Sequence, residues 1–536
     1  MRRRTFISLA SAAGVTTLVS PISGCSSQTE KKEAESTSDF KEITLAEIAK
    51  RMQAGTLTSR KLTEFYLNQI ETLDKKGPQL RAVIELNPDA LSIADAMDKE
   101  RKNGKVRGPM HGIPILIKDN IDTADKMQTT AGSVALAGNV ASADAFIVKK
   151  LREAGAVIIG KTNLSEWANY RSTRSSSGWS SRGGQTKNPY ILDRSPCGSS
   201  SGSGVAVAAN LCAVAVGTET NGSIACPASM NAVVGIKPTV GLVSRSGIIP
   251  ISITQDTAGP FGRTVADAAI LLGAMAGSDP ADPARHTGQE PSPTDFTKFL
   301  DPNALKGKRI GVDRGFLKLH EGIDALLKKA LDQMRGAGAT IIEVDYMQTQ
   351  ELEGAESVLL QYEFKNGLNQ YLTHSNAKIK SLEALIAFNK QNEATAMPIF
   401  KQELLEASQA KGDLKTEEYK AALKKIKHVE DLLNQHFDEH QLDALCGPAT
   451  GAPWCIDPIN GDFWTGYGAY GPAAISGFPS LTLPMGNLSE LPVGISFLAK
   501  AYSEPSLIGI GFAYEQISKN RSQPKFIKTA GTTSVG

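Results

Sequence analysis

The stretch SPCGSSSGSGVAVAANLCAVAVGTETNGSI, residues 195–224, decides the fold. It contains two runs dense in Gly and Ser, Ser195–Gly204 and Gly217–Ile224. Such runs bury little apolar area and lose much backbone freedom on ordering, so alone they read as a flexible linker. The residues between them argue otherwise. Val205–Cys212 is small and apolar, which suits a tightly packed helix, and Ala213–Val216 suits a buried strand. Both polar runs are therefore anchored inside a fold. Glycine lets successive backbone N–H groups converge on an anion, as an acyl-transfer oxyanion requires. Serine supplies hydroxyls for a nucleophile or a proton relay. A base is still needed, and neither run contains a histidine.

Upstream, His111 precedes GIPILIKDN, residues 112–120, a strand pattern ending in a polar tip at Lys118. Further strand patterns fall at Ala82–Leu86, Ala156–Gly160, Lys308–Val312, Ala339–Val344, Ser480–Leu483 and Val493–Leu498. Helical patterns cover 44–75, with Thr44 and Ser59 placed at helix starts, then Asp89–Lys102, Asp144–Glu153 and 350–440. The alternation predicts an α/β fold with a mixed sheet. Residues 277–300, rich in Pro and Asp, suit a linker, but similar strand patterns on both sides favour one interrupted domain.

The 536 residues are 41% hydrophobic and 21% charged, an ordinary globular composition. Net charge is +2, no long basic run follows the first four residues, and aromatic content is 6%, so nothing points to nucleic acid. The six cysteines, Cys25, Cys197, Cys212, Cys226, Cys446 and Cys455, form no C-x-x-C pair and no metal-ligand spacing with histidine. No metal or organic cofactor is implied. Cys446 and Cys455 are close in sequence, but separate buried thiols are an equal reading and no bridge is assigned.

Residues 1–24 read as an export signal. Three arginines open the chain and a short, mildly apolar run follows, too short to span a bilayer. Arg3-Arg4-Thr5-Phe6-Ile7 resembles a bacterial twin-arginine signal, with ordinary Sec export as the alternative. Ile22-Ser23-Gly24-Cys25 resembles a bacterial lipobox, which makes Cys25 the lipidated residue and 25–39 a polar tether. The expected location is the cell envelope, with the membrane touched only through this lipid.

Four blocks in order, Gly112–Asn120, Gly160–Glu166, Ser195–Gly204 and Gly217–Ile224, resemble the amidase signature family. Within it, Ser165-Glu166-Trp167-Ala168-Asn169, the run from Pro196 to Ser203, and Gly217–Thr220 followed by Gly222-Ser223-Ile224 are similar to bacterial peptide amidases. The resemblance implies a single amidase domain over 40–525, its mixed sheet covered by helices on both faces. It makes Lys118 the general base, Ser199 a relay serine preceded by a cis peptide bond, and Ser223 the nucleophile. The backbone N–H groups of Thr220, Asn221, Gly222 and Ser223 would form the oxyanion hole. Many members carry Asp, Gly and Arg where this chain has Glu219, Asn221 and Ala225, which bears on substrate choice rather than on reaction type.

The implied chemistry is coherent. A serine hydroxyl needs a base. Lysine has a solution pKa of about 10.4, which burial can lower by up to about 3–5 units. A neutral Lys118 then takes a proton from Ser199, which takes one from Ser223. The expected reaction is hydrolysis of a carboxamide C–N bond through an acyl-enzyme on Ser223, with a peptide C-terminal amide giving acid and ammonia. Small acyl or aryl amides are the alternative. A second alternative is an esterase using Ser200, since Gly198–Gly202 matches G-x-S-x-G, with His428, His436 or His440 as base. Asn221 suits a substrate contact or a left-handed turn, and Tyr467, Tyr470 and Trp464 suit either a substrate wall or packing. His111, Cys197 and Cys226 read as buried core residues, and Asp457 and Asp462 as loop carboxylates. Partners are limited to a small-molecule or peptide amide, and oligomeric state is not legible.

Overall fold

A computed structural model describes residues 40–285, 294–345 and 352–531. The chain divides into a unit of residues 1–39 and a second unit from Phe40 onward. The expected export signal and Cys25 tether lie outside the described residues.

The strands are β1 (Val83–Leu86), β2 (Pro114–Lys118), β3 (Val157–Thr162), β4 (Trp179–Ser180), β5 (Gly184–Gln185), β6 (Val214–Glu219), β7 (Val234–Lys237), β8 (Thr257–Gly262), β9 (Arg309–Asp313), β10 (Thr340–Val344), β11 (Ala444–Pro448), β12 (Ser480–Leu488) and β13 (Leu491–Leu498). β4 and β5 form a small hairpin, and the other eleven build one sheet in the order β1-β3-β2-β6-β8-β7-β12-β13-β11-β9-β10. The sheet is mixed: β2 runs parallel to β3 and β6, β9 parallel to β10 and β11, and the strands from β6 to β11 pair antiparallel. It is a single α/β domain with helices flanking the sheet, as the sequence pattern predicts.

β2, β3 and β6 are buried at every position. Strands covered on both faces carry continuous apolar runs rather than alternation, which is why they were readable. β7, β8 and β11 were not. Gly259 and Pro260 interrupt β8, and Gly447 and Pro448 end β11, residues that ordinarily argue against a strand. Here glycine is required: a Cβ on Gly259 would lie 2.1 Å from the Ile236 carbonyl oxygen of β7. Two boundaries also differ. The first helix is capped by Thr44 as expected, but Thr58, not Ser59, caps the second. The helix expected at Val205–Cys212 spans Ser201–Ala208, beginning inside the Gly/Ser run.

Parallel neighbours β2 and β6 end at the same sheet edge, bringing Lys118 beside Thr218 and Glu219. Carboxyl ends of parallel strands are the usual place for a site in α/β sheets. Residues 353–439 form the expected helices, among them Glu353–His374, Glu403–Gln409 and Glu417–Glu439. Arg171 ties this region to the core. Its fully buried guanidinium donates to Glu166 Oε1 at 2.6 Å and to the Ala396 and Phe400 carbonyls at 2.6 and 2.9 Å. It also lies 4.9 and 4.3 Å from the Trp179 and Phe400 ring centroids. Glu166→Ala strands that charge without its counter-ion, and should lower unfolding free energy by about 3–5 kcal/mol. Urea denaturation checks this, and a loss under about 1 kcal/mol, typical of an exposed pair, contradicts it.

Candidate active site

Lys118 is the last residue of β2 and is fully buried. Its Nζ lies 2.8 Å from Ser199 Oγ, 3.0 Å from Ser200 Oγ, 2.8 Å from Thr218 Oγ1 and 3.3 Å from the Thr218 carbonyl oxygen. Asn120 Nδ2 donates to the same Thr218 hydroxyl at 3.0 Å. Burial pushes the Lys118 amine down to about 7, against an opposing pull from Asp256 and Glu219. Asp119 points elsewhere, its carboxylate accepting from Thr130 Oγ1 and the Gly132 N–H.

The Gly198–Ser199 peptide bond is cis. Ser199 is fully buried and Ser223 is 7% exposed. The Ser200 N–H donates to the Ser223 carbonyl at 3.2 Å, so the two serine runs are hydrogen-bonded neighbours. A disulfide between Cys197 and Cys226 joins them again, with Cα atoms 5.9 Å apart. The sequence left the disulfide state of these cysteines open, because they stand 29 positions apart in the chain and no local pattern marks their approach. Cys446 and Cys455 are free thiols, one buried and one exposed.

The turn after β6 is shaped by its side chains. Glu219 Oε2 accepts from the Ile224 and Ala225 N–H groups at 2.6 and 2.9 Å, fixing the chain just past Ser223. Gly222 holds φ +78°, and a Cβ there would sit 2.4 Å from the Tyr470 ring. Among the described residues, the N–H groups of Asn221, Gly222 and Ser223 donate to no protein acceptor. Three successive N–H groups at this turn are thus left available to an anion. Thr220 Oγ1 donates to the half-buried Asp256 at 2.6 Å, whose other oxygen accepts from the Ile251 and Ser252 N–H groups. Asn221 is not left-handed; its amide donates to Glu356 Oε1 at 2.8 Å, as does Gln255 Nε2. Neither Asp256 nor Glu356 stood out in the sequence, because each lies far along the chain in an unremarkable context.

A cavity of about 260 Å³ opens beside Asn120, Thr218 and Thr220. Asp256 and Arg245 contribute polar walls, and Ile249 and Ile251 apolar ones. The segment after Glu166 reaches this cavity through Ala168, which lines it from a left-handed run spanning Trp167–Asn169. Of the three aromatic candidates, only Tyr470 reaches the turn. Tyr467 stacks on Phe316 at 6.4 Å, and Trp464 is 55% exposed beside a different cavity. Asp457 hydrogen-bonds within its own loop as a loop carboxylate, whereas Asp462 is not solvated: it is half-buried and accepts from Ser177 and Trp454. His111 is a satisfied core histidine bonded to the Met97 carbonyl. Ser200 Oγ donates to the Thr218 carbonyl at 2.9 Å. The three histidines that the esterase alternative offers as a base all lie on or just past the helix Glu417–Glu439, and none is bonded to Ser200. The geometry does not favour that alternative.

The fold and this amine–hydroxyl cluster are those of a hydrolase acting on amide bonds. The amidase family profile matches residues 61–508, and the chain belongs to that family. It is 42% identical to a probable amidase of Arabidopsis thaliana, over 92% of this chain and 93% of that one. It is 37% identical to a putative amidase of Schizosaccharomyces pombe, over 91% and 87%. The crystal structure of native peptide amidase from Stenotrophomonas maltophilia superposes with a TM-score of 0.87 at 51% identity, over 91% and 99%.

These relatives correct the expectation of address and source. A plant and a yeast protein match nearly the whole chain under names that carry no export or lipid anchor. A bacterial origin, a twin-arginine or Sec signal, lipidation of Cys25 and an envelope location are therefore withdrawn. The misreading has a physical cause: a basic start before a small-residue apolar run is a compositional pattern, and it was read without any constraint from the fold. Among the described residues, no helix is long and apolar enough to cross a membrane.

Proposed function

We propose that this amidase forms an acyl-enzyme on Ser223, with Ser199 and Lys118 as the proton relay, and that its substrate is the C-terminal amide of a peptide. The single observation carrying the first part is the fully buried Lys118 amine 2.8 Å from Ser199 Oγ. A solvated lysine is protonated and cannot accept a proton, whereas this one is held near neutrality. Ser223 Oγ attacks the carbonyl carbon as its proton passes to Ser199 and the Ser199 proton passes to Lys118. The N–H groups of Asn221, Gly222 and Ser223, with that of Thr220, stabilise the oxyanion. Lys118 returns its proton through Ser199 to the leaving nitrogen, the C–N bond breaks, and ammonia departs from a primary amide. Water then attacks the ester by the same relay, giving the acid and free Ser223.

The peptide-amide part draws on the 51% identity to the Stenotrophomonas peptide amidase. Ammonia release from a blocked dipeptide amide tests it. Ser223→Ala should lower kcat at least about 10³-fold, and Lys118→Ala similarly, since members of one relay fail together. Turnover of aryl acylamides without any of the peptide amide refutes the substrate class, and full activity of Ser223→Ala refutes the nucleophile.

The pH dependence has a definite sign. Lys118 must be uncharged to act, so kcat/KM should rise through about pH 7 and level off above it. The Asp256 carboxylate favours the charged amine. Asp256→Asn should therefore move the acid limb to lower pH, and a limb that stays in place or moves up contradicts this electrostatic account.

A further inference from the structure

The helix Glu417–Glu439 ends in His436-Phe437-Asp438-Glu439-His440, an H-x-x-E-H spacing that the amidase reaction does not use. Residues four apart share a helix face, so His436 and His440 stand one above the other, with Glu439 beside them. Their rings are nearly parallel, 9° apart in plane with centroids 6.2 Å apart. His440 caps the helix, its N–H donating to the His436 carbonyl at 3.2 Å. Gln435 Nε2 donates to Glu439 Oε1 at 2.6 Å and steadies that carboxylate. His436 Nδ1 is buried and has no hydrogen-bond partner among the described residues. A buried ring nitrogen left unpaired is costly unless something fills it.

We propose that His436, Glu439 and His440 bind one divalent first-row transition-metal ion. One ligand atom from each lies within 4.8 Å of the other two. Four-coordinate zinc with bonds of about 2.0–2.2 Å needs its ligands about 3.4 Å apart, so side-chain rotation closes the set without moving backbone. Two imidazoles and a carboxylate suit zinc, nickel or copper, whereas magnesium and calcium take oxygen ligands. The carboxyl end of a helix also favours a cation. Nearby charges partly offset one another. Arg309 donates to the His440 and Gln441 carbonyls, while Asp438 is paired with Lys500 at 2.6 Å. The triad is partly exposed, so water completes the coordination. The site belongs to the helical region rather than to the reaction, and a bound ion would fasten the last turn of this helix.

Titration of zinc chloride into the metal-free full-length protein, followed by calorimetry, tests the site. The expected result is one saturable zinc site, weakened at least about tenfold by His436→Ala or His440→Ala. It should be weakened several-fold by Glu439→Gln, unchanged by His428→Ala on the same helix, and magnesium should give no binding heat. Alanine is a good helix former, and circular dichroism checks that each variant folds. Should an alanine variant melt early, the Glu439→Gln result decides alone. The proposal is overturned by absence of saturable zinc binding. Binding undiminished in the His436→Ala/His440→Ala protein, or abolished only by Cys455→Ser, also overturns it.

Discussion

The site depends on one desolvated amine. Lys118 sits at the end of a strand buried at every position, so its Nζ cannot reach water and meets only hydroxyls and a carbonyl. Removing an ammonium from water without a directly bonded carboxylate is costly, and losing the proton is the cheaper outcome. Asp256 and Glu219 act on it from a distance and restrain the shift. A carboxylate in direct contact would hold the amine charged and unable to take up a proton in the relay proposed above. The chain keeps Asp119, its neighbour in sequence, turned away toward Thr130 and Gly132.

The surrounding structure holds hydroxyls and N–H groups around that amine. The Cys197–Cys226 disulfide and the Ser200–Ser223 backbone bond pin two Gly/Ser runs that would otherwise have little reason to order. The buried Glu219 and the half-buried Asp256 each commit a carboxylate oxygen to the turn that carries Ser223. A site built on such restraints is organised before substrate arrives, which favours electrostatic stabilisation of a developing oxyanion. Glu356, from a helix far along the chain, reaches Asn221 and so links the helical region to the same turn.

The sequence made the centre of the molecule legible and its edges much less so. Strands β2, β3 and β6 declared themselves because burial on both faces demands unbroken apolar residues, and three of the four motif blocks lie on or at the ends of these strands, the fourth leading into the helix Ser201–Ala208. β8 and β11 hid behind Gly and Pro, which tertiary packing tolerates and local propensity forbids. The disulfide, Asp256 and Glu356 were invisible because each depends on a contact between distant segments, and no local pattern marks them. In the aromatic loop, Tyr470 lies over Gly222 and Tyr467 stacks on Phe316, placements that local sequence does not distinguish. At the N-terminus, composition alone suggested an export address that the names of the plant and yeast relatives do not carry. The histidine spacing at 436–440 was visible, but it was weighed only as a source of a base.

The most direct test of the account is the protonation state of Lys118 itself. In nitrogen-15 NMR of lysine-labelled protein, the resonance that Lys118→Met removes should titrate near pH 7. An Nζ that stays protonated up to about pH 10, the ordinary range for lysine, would contradict the claim that this fold holds a neutral base beside Ser199.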